Sequence, residues 1–115
     1  MALIIVKIGK KSLQIKDCRG LKSIKGLMFS KMKNIDGALI SGNSIWMPFV
    51  KHNLDLFFLD KNFYVTSKQK AVPIRIKRKT WKIYYDPNAR YCLEIKHGLI
   101  DMEKIKIGQK IEIRH

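Results

Sequence analysis

Few residues in this chain have types and surroundings that suggest chemistry. Asp55 is a lone acid in Leu54-Asp55-Leu56-Phe57-Phe58-Leu59, where every other side chain is apolar. A carboxylate in such a run has two uses. It can accept backbone N–H groups and pin a turn, or it can point into an apolar pocket, where burial raises its pKa unless a donor satisfies it. In the second case Lys25 or Arg90 is the expected partner, and Met28, Trp46, Met47 and Tyr91 are expected to wall a small site. Apolar walls around one fixed charge are what a small polar ligand needs. Glu94 has similar apolar neighbours, but its alternation with Leu93 and Ile95 places it on a solvent face.

A second group is cationic. Arg75, Lys77, Arg78, Lys79 and Lys82 surround Trp81, with Tyr84 and Tyr85 just beyond. Cations interleaved with aromatic rings suit phosphate contacts and base stacking, and they equally suit a solvated edge strand whose lysines prevent aggregation. The histidines (His52, His97, His115) and cysteines (Cys18, Cys92) form no HxH, HExxH or CxxC, so no metal set is assigned. No glycine-rich phosphate loop and no nucleophile–base pair can be read, so no catalytic residue and no cofactor is assigned. Four methionines (Met28, Met32, Met47, Met102) read first as core filler.

Length and charge bound the rest. A chain of 115 residues, 46% of them hydrophobic, can bury one core without metal or disulfide staples, so residues 1–115 are read as one domain. Two widely spaced cysteines make a poor disulfide framework, and a reducing cytoplasm is the simpler location. No stretch is long and apolar enough to span a membrane or act as a signal peptide. The balance of 24 Lys and Arg against nine acids gives a formal charge of +15. That excess points to an anionic partner, nucleic acid among the candidates. A thermophilic or AT-rich source also enriches Lys, but usually together with Glu, and only three glutamates are present.

The elements that must position these residues are mostly strands. Residues 3–8 and 13–16 read as a hairpin around Gly9-Lys10, whose leading glycine suits a type II′ turn. Leu21, Ile24, Leu27 and Met28 fall at helical spacing. Residues 38–41 form a short strand, and residues 45–50 and 54–59 read as a central hairpin, the second strand being apolar on both faces. A strand starts at 63–66, 67–70 is polar, and Pro73 marks a break or an edge position. Trp81, Ile83 and Tyr85 share one face of a later strand, and Tyr91, Leu93 and Ile95 share one face of the next. Residues 99–104 suit one helical turn, and Gly108-Gln109 precedes a last strand. Eight or nine short strands with one helix predict a mainly β fold, a compact closed or partly open β-barrel.

Three segments together resemble one family. They are Lys25-Gly26-Leu27-Met28-Phe29; Trp46-Met47 followed by Leu54 to Asp60; and Ala89 to Gly98 followed by Ile107-Gly108-Gln109-Lys110-Ile111. In order and spacing these are similar to the domain-of-unknown-function 192 family over about residues 20–114. The resemblance implies a compact, barrel-like β domain with a short helix carrying Gly-Leu-Met, and it implies no defined activity. Pro48-Phe49-Val50 stands where many members carry Lys-Asn-Thr.

The resulting expectation is a noncatalytic binding domain with a cleft near the central hairpin for a small polar ligand. A nucleic-acid-binding accessory protein using the 75–85 face is the second expectation, and an enzyme of unknown reaction is the third.

Overall fold

The computed structural model describes residues 3–19, 35–46, 53–71 and 83–114, with the side chains at 45, 46, 71 and 83 excepted. The predicted helix at 21–28, Lys25, Met28, Met47, His52 and the basic residues 75–82 lie outside the described residues.

Nine strands are described: β1 (Leu3–Ile8), β2 (Lys11–Cys18), β3 (Gly37–Ser41), β4 (Ser44–Trp46), β5 (Leu54–Leu59), β6 (Val65–Ala71), β7 (Ile83–Tyr85), β8 (Tyr91–Lys96) and β9 (Glu112–Arg114). Seven form one sheet in the order β6-β5-β8-β3-β2-β1-β9, and β4 pairs with β7 in a separate ribbon. The large sheet curls into a half-barrel. One end of β6 is stitched to the segment leading into β9. Val65 N–H donates to the Gln109 carbonyl at 2.8 Å, Gly108 N–H to Val65 at 2.7 Å, and Ile111 N–H to Phe63 at 2.9 Å. The fold is therefore mainly β and barrel-like, as the strand count predicts.

Local chemistry explains several turns. Ile8 pairs with Lys11, which leaves Gly9-Lys10 as a two-residue loop, and Gly9 has φ +60. Asp60 closes the β5–β6 turn by accepting N–H bonds from Asn62 at 2.8 Å and Tyr64 at 3.0 Å. Phe63 there takes φ +68, a strained value for a bulky residue. Its ring stacks on Tyr91 with centroids 5.1 Å apart. Asp101 caps a single 3₁₀ turn, Met102–Lys104, by accepting the Glu103 N–H.

β5 is buried at all six positions, and its two faces feed two different clusters. Leu54, Leu56 and Phe58 pack with Cys18, Ala38, Ile40, Tyr84 and Cys92 on one face of the sheet. Phe57 and Leu59 pack with Ile4, Val6, Leu13, Ile15, Leu93 and Ile95 on the other. Leu99, Ile100, Met102 and Ile105 pack onto the second cluster, so the segment after β8 covers that side of the sheet.

The structure corrects three expectations and extends one strand. β5 pairs with β6 and β8, which fills both its hydrogen-bonding edges, so the central hairpin with 45–50 does not form and β4 pairs with β7 instead. The strand that starts near 63–66 runs on through the polar 67–70 stretch as β6, which lies last in the sheet order, where polar side chains meet solvent. On β7 the facing is the reverse of that expected: Tyr84 is buried and Tyr85 exposed, because Tyr84 packs with Leu56 and Phe58. Glu94 is not on a solvent face, because both faces of β8 are covered.

Candidate functional site

Two carboxylates lie inside this sheet, one toward each cluster. Asp55 has the same strand parity as Phe57 and Leu59, so it belongs to the face covered by the 97–105 segment. Its cross-strand neighbours are Ile95 on β8 and Lys70 on β6. The side chain is 1% exposed, and Oδ1 lies 3.0 Å from Nδ1 of His97, which is 54% exposed. Oδ2 is buried and has no hydrogen-bond donor among the described residues. With Asp55 accepting from Nδ1–H, Nε2 of a neutral ring is left as an acceptor.

The backbone around this pair is held at several points. His97 N–H donates to the Asn53 carbonyl at 3.1 Å, which ties the residue after β8 to the entry of β5. Lys96 N–H donates to Asp36 at 3.0 Å, and the Asp36 carboxylate accepts the Gln14 N–H at 2.8 Å. Gly37 lets β3 come this close to β8, since a Cβ there would sit 1.9 Å from the Glu94 carbonyl oxygen.

Glu94 lies on the opposite face. Register places Lys16, Ala38, Glu94 and Leu56 in one row across β2, β3, β8 and β5. Cys18, Ile40, Cys92 and Phe58 form the next row. Glu94 is 5% exposed, and burial raises its pKa to about 8, so it carries its proton at neutral pH. Burial also pushes both thiols up, Cys92 most strongly. The thiols lie on the face opposite Asp55 and His97, so neither pairs with His97.

Asp86 is the third buried acid. Burial pushes its pKa up, but hydrogen bonds from the Ser67 and Thr66 hydroxyls and from the Asn88 N–H outweigh that and hold it below the usual value. Those hydroxyls lie at 2.6 and 2.7 Å, so Asp86 pins the turn after β7 to β6.

The sequence-predicted residues do not all converge. Asp55 is buried and paired, yet its partner is His97 rather than Arg90, which is exposed beyond the far end of β8, where its N–H donates to Leu59. Tyr91 pairs with Leu59, four residues along the strand from Ile95, the neighbour of Asp55. Tyr91 and Asp55 therefore lie roughly 13 Å apart along the strands. Trp46 lies on β4, outside the large sheet. Sequence reasoning misses His97 as the partner, although its parity with Ile95 on a strand beside Asp55 is the signal that could find it.

These features define a class of protein: a curled, seven-stranded β half-barrel with a carboxylate–imidazole pair at one end of its central strands. The chain belongs to the domain-of-unknown-function 192 family, described as "Uncharacterized ACR", whose model matches residues 11–113. Two crystal structures share its fold. A Sinorhizobium meliloti protein described as a "putative transcription regulator" matches with TM-score 0.74 and 18% identity, over 96% of this chain and 91% of the other. A Novosphingobium aromaticivorans protein of unknown function matches with TM-score 0.70 and 21% identity, over 96% of this chain and 83% of the other. At such identities the likeness speaks for fold alone. No curated protein matches the chain significantly. Among the described residues, no helix is long and apolar enough to cross a membrane, and no three His, Cys, Asp or Glu side chains could hold a metal ion together.

Proposed function

We propose that this protein is a noncatalytic binding domain for a small polar ligand, held at the Asp55–His97 end of the half-barrel. The observation that carries the reading is Asp55 Oδ2, a buried carboxylate oxygen without a donor among the described residues. Leaving such an atom unpaired costs about 1–3 kcal/mol or more, and a ligand N–H or O–H would recover that cost. His97 Nε2 adds an acceptor beside it, and Trp46, Met47 and Met28 stay as the proposed apolar walls, whereas Tyr91, four residues along β8 from Ile95, is too far away to line this end.

A thermal-shift screen of amines, polyols and sugars tests this reading. A ligand should raise the melting temperature of the wild type, and the shift should vanish in Asp55→Asn and His97→Ala while both variants remain folded. A screen without hits, together with an Asp55→Asn variant that fails to fold, would make Asp55 structural and sink the proposal.

The charge of +15 favours a second reading, binding of nucleic acid or another polyanion through Arg75, Lys77, Arg78, Lys79, Trp81 and Lys82. The description of the Sinorhizobium meliloti protein as a "putative transcription regulator" is in line with it. Neutralising about five phosphates gives a slope of log K against log salt of about −4. Affinity that stays flat from low to moderate salt rules this reading out.

A further inference from the structure

A groove on another part of the molecule has the makings of a separate site. It encloses about 570 Å³ between the β1–β2 turn and the 3₁₀ turn, and Ile8, Ile100 and Ile105 supply its apolar lining. That volume is within the range of small-molecule pockets. Lys10, Lys11 and Lys104 supply its charge. Lys11 is committed to the fold, since its Nζ donates to the Leu99 carbonyl and so ties the hairpin to the covering segment. Lys10 and Lys104 have no carboxylate within ion-pair distance among the described residues. Asp101 is the only acid in the lining among the described residues, and its Oδ1 already accepts the Glu103 N–H at 3.0 Å.

We infer that this groove binds a small amphiphilic anion, an apolar body carrying a carboxylate, sulfonate or phosphate head. The isoleucines cover the body, and Lys10 and Lys104 bracket the head. The chemistry requires both parts, since exposed lysines alone hold a bare anion weakly in water. β5 contributes nothing to the lining, so the site does not depend on the Asp55 reading.

The probe is 1-anilinonaphthalene-8-sulfonate, titrated by fluorescence at low salt into the wild type, Lys10→Gln/Lys104→Gln, Lys61→Gln/Lys110→Gln and Asp55→Asn. Inorganic phosphate and uncharged N-phenyl-1-naphthylamine serve as comparison ligands. The expected result is one saturable site in the wild type, weakened about tenfold by the loss of both groove cations. The 61/110 pair, which removes the same charge outside the groove, and Asp55→Asn should change affinity less than twofold, and both comparison ligands should bind more weakly than the probe. Since every variant can be checked for intact cooperative unfolding, a loss confined to the groove variant is not a folding effect. An unchanged affinity in the groove variant, an equal loss in the 61/110 variant, or no saturable binding would overturn the inference.

Discussion

Replacing Glu94 by Gln converts a buried acid into a neutral group of nearly the same shape, and its consequence is a change in pH dependence. In the folded chain Glu94 holds its proton up to about pH 8, whereas the ordinary value is 4.5. Between those values the unfolded chain releases a proton that the folded chain keeps. Stability therefore falls as pH rises through this window and levels off above it. At about 1.4 kcal/mol for each pH unit, the full loss approaches about 5 kcal/mol, of which about 3 kcal/mol is already in place at pH 7. Typical domains have about 5–15 kcal/mol in total, so the further loss of about 2 kcal/mol between pH 7 and pH 9 is a measurable fraction of the whole. The glutamine of the Glu94→Gln variant has no such proton. Its buried amide carries a cost that is constant with pH, so the informative quantity is the slope of the difference between the two proteins. Urea unfolding at intervals from pH 5 to 9 measures it. The variant should gain on the wild type steadily up to about pH 8. A difference that stays constant within about 0.5 kcal/mol over that range would refute the reasoning and mean that Glu94 is ionised in the folded state.

Three further outcomes are expected. Gly37→Ala should cost more than about 4 kcal/mol, because the added Cβ would lie 1.9 Å from a backbone oxygen of β8; a melting temperature near that of the wild type would contradict this. Asp86→Ala should lose about 2–4 kcal/mol at neutral pH, and less in acid. Asp86 stabilises the fold above its ordinary value of 3.8, and that contribution disappears as pH falls through its lowered folded value, so acid titration should bring the two proteins closer. Cys18 and Cys92 are buried with raised pKa values and should react with a thiol reagent such as 5,5′-dithiobis-(2-nitrobenzoic acid) only on unfolding. They should not form a disulfide, since β3 separates their strands and their Cα atoms lie roughly 9–10 Å apart.

Local signals carried the fold where they sufficed. Gly9-Lys10 between two apolar runs located the first hairpin, and the continuous apolar run of β5 announced a strand covered on both faces. The edge position of β6 was hidden, because Ser67, Lys68, Gln69 and Lys70 read equally well as a loop until a neighbouring strand pairs with them. The facing of Tyr84 and Tyr85 was ambiguous because both are aromatic, and contacts with Leu56 and Phe58 decide it. For the site, the oddness of Asp55 was visible in its neighbours. Its partner was not, since His97 lies 42 residues away and only the β5–β8 register brings them together. Glu94 was misplaced for a related reason. Alternation along one strand says which side chains share a face, while coverage of the second face comes from residues distant in sequence.

The pairing of β1 with β9 has a consequence for how the fold is reached. Ile5 lies beside Arg114 and Lys7 beside Glu112, contacts that span nearly the whole distance between β1 and β9 in sequence. On a ribosome adding about 5–20 residues per second, β1 waits several seconds for that neighbour. During this time the β1–β2 hairpin presents an unpaired strand edge, with Leu3 and Ile5 among its exposed side chains. Sheets dominated by such distant pairings also fold slowly once complete, in roughly milliseconds to seconds. The risk of misassociation is thus concentrated on the nascent chain, and the three residues of β9 end it.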